Sequence, residues 1–145
     1  MKTLGAVALL AAVLVMVTGT TAGADAVYHS ERLEFAAGGD PDFHGQVVNI
    51  HPNGPVNGAL ERYQVVGATP DTTYAVWIQT CDGGFADFIN TTDLVTDKQG
   101  NGHAAARFTA EDLDPFEGAV VTIRWALKLG GVAVYTTDCT TVTID

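Results

Sequence analysis

The chain has 145 residues, 47% of them apolar, and a formal net charge of −10 because 17 acidic residues face 7 Lys and Arg. The apolar fraction excludes an intrinsically disordered chain, since disordered chains lack the apolar surface needed to build a core. The acidic balance argues against nucleic-acid binding, because neutralising phosphates requires an excess of Lys and Arg.

Residues 1–26 have the pattern of a secretory signal peptide. Lys2 precedes an apolar run over residues 4–17, and small residues follow it as far as Ala24-Asp25-Ala26. The run is shorter than the roughly 20 residues that a membrane-spanning helix requires. We therefore expect cleavage before Val27, with cleavage before Asp25 as the alternative. The mature chain would have no membrane insertion and would keep its charge of −10, because Lys2 and Asp25 are lost together.

Two cysteines, Cys81 and Cys139, are present in this exported chain. In an oxidising compartment such a pair predicts a disulfide. The bridge would close a loop of about 59 residues and stabilise the fold by about 4 kcal/mol in the chain-entropy description. The expected location is secreted or extracellular, with the periplasm and the cell surface as further compartments of the same kind.

Strand-like segments recur along the chain and are separated by Gly- and Pro-rich turns. They cover residues 46–51, 62–66, 73–80, 85–95, 103–109, 121–128 and 132–142. Only residues 110–116 favour a helical turn. This pattern predicts an all-β, antiparallel Greek-key sandwich of about seven to eight strands, with a small β-barrel as the alternative. We expect a single domain over residues 43–145, preceded by an N-terminal arm or edge strand over residues 27–42.

Alternation within these segments predicts which side chains face the core. Tyr74 and Ile78 share one face of their strand, and Trp125 lies in an apolar row with Ile123. Trp125 is therefore expected in the core, whereas the pattern leaves open whether Trp77 is exposed.

The segment Pro70-Asp71-Thr72-Thr73-Tyr74 resembles the P-x-T-x-Y turn-to-strand segment of fibronectin type III and related immunoglobulin-like domains. The resemblance covers about ten residues around this segment. It implies an immunoglobulin-like sandwich in which Tyr74 forms a structural corner, with its hydroxyl bonded to backbone upstream. It also implies a role in binding or adhesion.

Residues that commonly carry catalysis are scarce. Ser30 is the only serine, it lacks a G-x-S-x-G setting, and the cysteines are expected to be paired. A glycosidase would need paired carboxylates in an aromatic-lined cleft, and the sequence predicts no such cleft. We therefore expect a protein that is not an enzyme and has no catalytic residues.

Metal and cofactor sites are likewise not predicted. His29, His44, His51 and His103 lack the close spacing of known metal motifs. The Asp97-x-Gln99-x-Asn101-Gly102 segment imitates the start of a calcium loop, but Phe108 stands where that loop needs a bidentate Glu. A hairpin turn is the preferred interpretation of that segment.

Two further acidic segments, Asp82 to Asp87 and Glu111 to Glu117, are expected to be solvated loops, with calcium binding as the alternative. Asn90-Thr91-Thr92 is an N-glycosylation sequon at an expected turn. The functional hypothesis is a secreted, non-enzymatic domain that binds an extracellular protein or glycan. The alternative is a structural subunit of a surface filament or layer that assembles by strand addition.

Overall fold

The computed structural model describes residues 27–36, 41–53 and 58–144, and the side chains of residues 27–33 and 51–53 are not considered. The predicted signal peptide lies outside these residues. Nine strands are present: β1 (Val27–Phe35), β2 (His44–Asn53), β3 (Ala59–Val66), β4 (Thr73–Thr80), β5 (Ala86–Val95), β6 (Gly102–Phe108), β7 (Val120–Leu129), β8 (Val132–Thr136) and β9 (Thr140–Thr143). A short helix α1 (Ala110–Leu113) and a 3-10 turn (Asp114–Phe116) connect β6 to β7.

The strands form two antiparallel sheets, which confirms the predicted sandwich and excludes the barrel. The first sheet has the order β1-β2-β3-β6, and the second has the order β5-β4-β7-β8, with β9 also paired to β7. The chain crosses between the sheets from β3 to β4, from β5 to β6 and from β6 to β7. Within the segment 27–42 that is expected to form an arm or edge strand, residues 27–35 form β1, which pairs with β2 along its whole length.

The segment expected as a single strand over residues 132–142 is divided into β8 and β9. Thr137, which lies between them, bonds to the backbone of Trp125 twice: its N–H donates to the carbonyl at 3.0 Å, and its Oγ1 accepts from the N–H at 3.1 Å. A side chain therefore replaces a backbone partner at this position, and the ladder is interrupted. This interruption is why nine strands are found rather than seven or eight.

The core follows the predicted alternation. Trp125 is completely buried in β7, and Tyr74 is buried at the start of β4, next to a stack of Phe43 on Tyr135 with ring centroids 3.7 Å apart. Apolar and aromatic side chains therefore fill the sandwich at the end where β2 and β4 begin. The fully buried large side chains are Trp125, Tyr63, Tyr74, Leu94, Leu127, Val47, Val65 and Val76.

Side-chain hydrogen bonds hold the corner between β3 and β4. The Tyr74 hydroxyl accepts a hydrogen bond from the Thr69 N–H at 3.2 Å, the kind of upstream backbone contact that the family resemblance implies. Buried Thr96 at the end of β5 accepts from the Thr72 N–H at 2.9 Å and donates to the Thr69 carbonyl at 2.7 Å. The corner is thereby joined to the second sheet.

The predicted hairpin turn connects β5 to β6. The Asp97 carboxylate accepts hydrogen bonds from the N–H groups of Gln99 and Asn101, both at 2.8 Å. These backbone bonds lower the pKa of Asp97, and the Asn101 N–H makes the largest contribution. The Asp97 oxygen that a calcium loop would direct at a cation is thus bonded to the turn itself.

The disulfide between Cys81 and Cys139 is present, with the two Cα atoms 6.3 Å apart, as the sequence predicts. It joins the residue after β4 to the residue before β9. Because β4 and β9 both pair with β7, the bridge connects two of the three strands that pair with β7.

Candidate functional site: a pocket between the sheets

A pocket opens between the two sheets near the ends of β2 and β4, away from the Phe43 and Tyr135 stack. Its enclosed volume is about 90 Å³. Both sheets, the 3-10 turn and β9 contribute to its lining, which is mostly apolar. Mostly apolar concave sites with a few convergent polar groups are the usual form of small-molecule sites.

Besides the exposed Thr143, the lining contains two polar side chains, Glu61 and Asn49, both of them buried. They are direct cross-strand partners on β3 and β2, so their side chains leave the sheet on the same face. Glu61 is only 3% exposed and Asn49 only 7% exposed. Both belong to the lining of the pocket, so a bound molecule would contact them.

The Glu61 carboxyl is held by its neighbours in the core. The Tyr63 hydroxyl donates a hydrogen bond to Glu61 Oε2, and Thr91 Oγ1 on the opposite sheet lies 2.9 Å from the same hydroxyl. The chain Glu61, Tyr63, Thr91 therefore crosses from one sheet to the other. It places the carboxyl in a defined orientation without supplying a positive charge.

Burial raises the pKa of Glu61 to about 7 from an ordinary value of 4.5, and the Tyr63 hydroxyl and the nearby Trp125 indole lower it in part. The pKa of Tyr63 is raised by its own burial and by the Glu61 charge, so its hydroxyl keeps its proton. Near neutral pH the carboxyl can therefore gain or lose a proton in response to a small change in its surroundings.

Two buried polar atoms near this cluster have no hydrogen-bond partner within the described part of the chain: Asn49 Oδ1 and Trp125 Nε1. The Trp125 indole is near enough to Glu61 to lower its pKa, but its N–H makes no hydrogen bond of normal geometry. Native interiors rarely leave such groups unpaired. The unpaired oxygen of Asn49 is the more informative of the two, because Asn49 lines the pocket.

Aromatic side chains from three elements line the pocket around these polar groups. The rings of Phe88 in β5 and Phe116 in the 3-10 turn meet edge to face with centroids 5.4 Å apart. Phe88 is 41% exposed, and Phe108 in β6 is half-buried. An exposed ring in the lining of a pocket is an apolar contact surface open to a ligand.

Sequence reasoning missed Glu61 and Asn49. It began the third strand at residue 62, whereas β3 begins at Ala59, so Glu61 was not considered as a strand residue. The available signal was the alternation Glu61, Tyr63, Val65, which places a carboxyl on the inward face of an otherwise apolar row. A charged residue at a core position is a feature of functional sites.

The outer face of the second sheet around Trp77 is the other candidate surface. Lys128 Nζ lies 5.3 Å from the Trp77 ring centroid and forms an ion pair of 2.6 Å with Asp87. Gln79 donates to Asp87 at 2.7 Å and accepts from Arg124 Nε at 3.0 Å.

Arg124 also lies 3.3 Å from the ring centroid of Phe85. The polar side chains of this face therefore already satisfy one another, and Lys128 partly covers Trp77. This face therefore offers a ligand fewer free hydrogen-bonding groups than the pocket does.

The remaining residues considered from the sequence are not brought together in one site. Asn90 lies exposed within β5 rather than at a turn, because β5 continues through the sequon with two irregularities in its pairing with β4. Asp112 caps α1 by accepting from the Thr109 N–H at 2.8 Å, and Asp87 is paired with Lys128. Over the described ranges no group of three or more His, Cys, Asp or Glu side chains is arranged to hold a metal ion.

No protein-family model matches the chain, and no curated protein or solved structure is significantly similar to it. In the parts of the chain that the structure describes, no helix has the length and apolar character needed to cross a membrane.

Proposed function

We propose that the chain is an exported, non-enzymatic binding domain of immunoglobulin-like architecture whose ligand site is the pocket between the sheets. One observation carries the proposal: a carboxyl group and an amide oxygen with no hydrogen-bond partner among the described residues line the apolar pocket. A buried polar group without a partner costs about 1–3 kcal/mol. A ligand that supplies the missing hydrogen bonds recovers this cost, which favours binding at this position.

The immunoglobulin-like and exported parts of the proposal have separate support. The two-sheet sandwich and the bond between Tyr74 and the Thr69 N–H agree with the family resemblance. The disulfide is compatible with an oxidising compartment, and residues 1–26 have the pattern of a signal peptide.

The chemistry of the pocket lining supports binding rather than catalysis. Among the described residues that line the pocket, Glu61 is the one carboxylate, and none is Ser, Cys, His or Lys. Glycoside hydrolysis uses a second carboxylate, and acyl transfer uses an activated nucleophile. A hydrolase activity of the wild-type protein that disappears in Glu61→Gln would overturn the non-enzymatic assignment.

The test of the pocket uses small apolar probes of about six carbons, namely hexylamine, 1-hexanol and hexanoate. Titrations are followed by amide chemical shifts in the mature protein. Ala59→Phe places a ring at the lining of the pocket, whereas Ala105→Phe makes the same change on the exposed face of β6.

We expect at least one probe to bind the wild type and Ala105→Phe and to lose binding to Ala59→Phe. Absence of binding by all three probes, or equal binding to the two variants, would overturn the pocket as the ligand site.

A further inference from the structure

The two buried polar side chains of the pocket offer acceptor atoms with free lone pairs. Asn49 presents an unpaired amide oxygen, and the Glu61 carboxylate has about four lone-pair positions, of which the Tyr63 hydroxyl uses one. A ligand that satisfies them must therefore bring donors. A group with several N–H donors can reach both acceptors at once, because Asn49 and Glu61 are adjacent cross-strand partners.

Charge favours a cationic donor over a neutral one. The described residues that line the pocket include no Lys, Arg or His, so the pocket supplies no counter-ion for an ionised Glu61. The chain as a whole carries a formal charge of −10, which raises the local concentration of cations near its surface. Charge-assisted hydrogen bonds are also roughly twice as strong as neutral ones.

The walls and the volume define the rest of the ligand. An enclosed volume of about 90 Å³ accommodates a small head group and a few carbons rather than an aromatic ring system. Within the same lining, the exposed ring of Phe88 and its neighbour Phe116 offer an apolar surface for a hydrocarbon chain. The pocket therefore suits a slender apolar chain with a single charged end.

We propose that the pocket binds a primary aliphatic ammonium group, which donates hydrogen bonds to Glu61 and Asn49 while its hydrocarbon chain lies against Phe88 and Phe116. The inference deepens the proposed function and depends on it. The same chemistry occurs in free alkylamines and in the side chain of lysine. The second source agrees with the extracellular protein partner expected from the sequence.

The experiment compares hexylamine with 1-hexanol and hexanoate at pH 8, where the amine is protonated. We expect hexylamine to bind the wild type about tenfold more tightly than 1-hexanol, the ratio that one charge-assisted hydrogen bond supplies. Glu61→Gln should remove this preference. Glu111→Gln, which deletes the same charge on the exposed first turn of α1, should leave it unchanged.

Two further measurements keep the inference testable if Glu61→Gln does not fold. Asn49→Leu should weaken hexylamine binding more than 1-hexanol binding, because it removes an acceptor and keeps the volume. In the wild type the affinity for hexylamine should rise between pH 5 and pH 8 as Glu61 ionises, whereas the affinity for 1-hexanol should not rise.

The outcomes distinguish a failure of the proposed ammonium ligand from a failure of the proposed pocket. Probes that bind the wild type but not Ala59→Phe, with 1-hexanol or hexanoate as tight as hexylamine, would overturn the ammonium ligand and leave the proposed site standing. No binding by any probe would overturn both. A parallel titration with Nα-acetyl-lysine methylamide distinguishes the two sources, since binding by the lysine derivative supports a protein partner and binding by hexylamine alone supports a free amine.

Discussion

Glu61 couples protonation to folding because its carboxyl is buried without a positive partner. Its pKa is about 7 in the folded protein and 4.5 in ordinary surroundings, so the folded state binds this proton more tightly than the unfolded state. The resulting stabilisation is complete below about pH 4.5 and is lost as the pH rises through 7.

We therefore expect the free energy of unfolding of the wild type to fall by about 3 kcal/mol between pH 4.5 and pH 8. Glu61→Gln should show a much flatter profile, because the amide does not titrate. Urea denaturation at intervals of one pH unit measures both profiles. The pKa of Asp87 is lowered, mainly by its hydrogen bond from Lys128. This shift makes the stability rise with pH, but it does so below pH 4.5 and therefore outside the range of the comparison. An equal slope in the two proteins would show that another group is responsible.

Thr96 stabilises the corner between β3 and β4 through its hydroxyl. The side chain is 3% exposed and bonds to the Thr72 N–H and the Thr69 carbonyl. Thr96→Val keeps the shape and leaves these backbone groups without their partner, so we expect a loss of about 1–3 kcal/mol. Thr73→Val, at an exposed position one residue after Thr72, should change the stability by less than about 0.5 kcal/mol. Thermal melts of the two variants compare them directly.

At the scale of elements, the hairpin turn between β5 and β6 packs closely against the loop after β3. Gly100 has a φ of +78°, and a Cβ there would lie 2.0 Å from the Ala68 carbonyl oxygen. Gly130 also has a positive φ, of +57°, but a Cβ there would meet nothing within 4 Å. Substitutions at these two positions therefore distinguish the energetic cost of backbone strain from the cost of steric overlap.

We expect Gly130→Ala to cost about 1 kcal/mol, the penalty of the left-handed conformation alone. Gly100→Ala should cost several-fold more, because the turn must also move away from Ala68. Chemical denaturation measures the difference. Equal losses in the two variants would mean that the turn moves without cost and that the close approach does not contribute to stability.

The disulfide joins β4 and β9, which flank β7. Its residues are 58 apart, and in the chain-entropy description the closed loop contributes about 4 kcal/mol by restricting the unfolded chain. Replacing Cys81 and Cys139 together by Ala should lower the stability by about that amount without changing the strand content. Circular dichroism and urea denaturation test this expectation. A loss below about 1 kcal/mol would show that the unfolded chain is already compact in this region.

At the scale of the whole molecule, β1 decides between the binding domain and the assembling subunit. All nine residues of β1 pair with β2 of the same chain, and Phe35 at its end is buried. Donating β1 to a neighbour would first require breaking its nine-residue pairing with β2. We therefore expect the mature chain to be a monomer in size-exclusion chromatography with light scattering.

A chain that begins at residue 36 should remain monomeric or aggregate, because it exposes the edge of β2. Oligomers of the mature chain that dissociate on removal of residues 27–35 would instead support strand addition. That result would restore the surface filament or layer as the function.

Local patterns determined much of this architecture. Alternation placed Tyr74 and Trp125 on inward faces, Gly-rich segments marked the turns, and the two cysteines behind a signal-peptide-like segment predicted a disulfide. These features depend on neighbours in the sequence, because the side-chain period of a strand and the conformational freedom of glycine are local properties.

The position and lining of the pocket depend on the tertiary structure. Glu61 lies beside Asn49 in the pocket lining because β3 pairs with β2 there, and its partner Tyr63 is reached by Thr91 of the other sheet. The alternation of side chains along a strand predicts that a residue faces inward, but it does not predict which distant residue it contacts there. The raised pKa of Glu61 and the unpaired amide oxygen of Asn49 depend on those contacts, so they could not be predicted from the sequence. The sequence by itself indicated an acidic, all-β chain, and the packing of one sheet on the other formed the pocket that we propose as the ligand site.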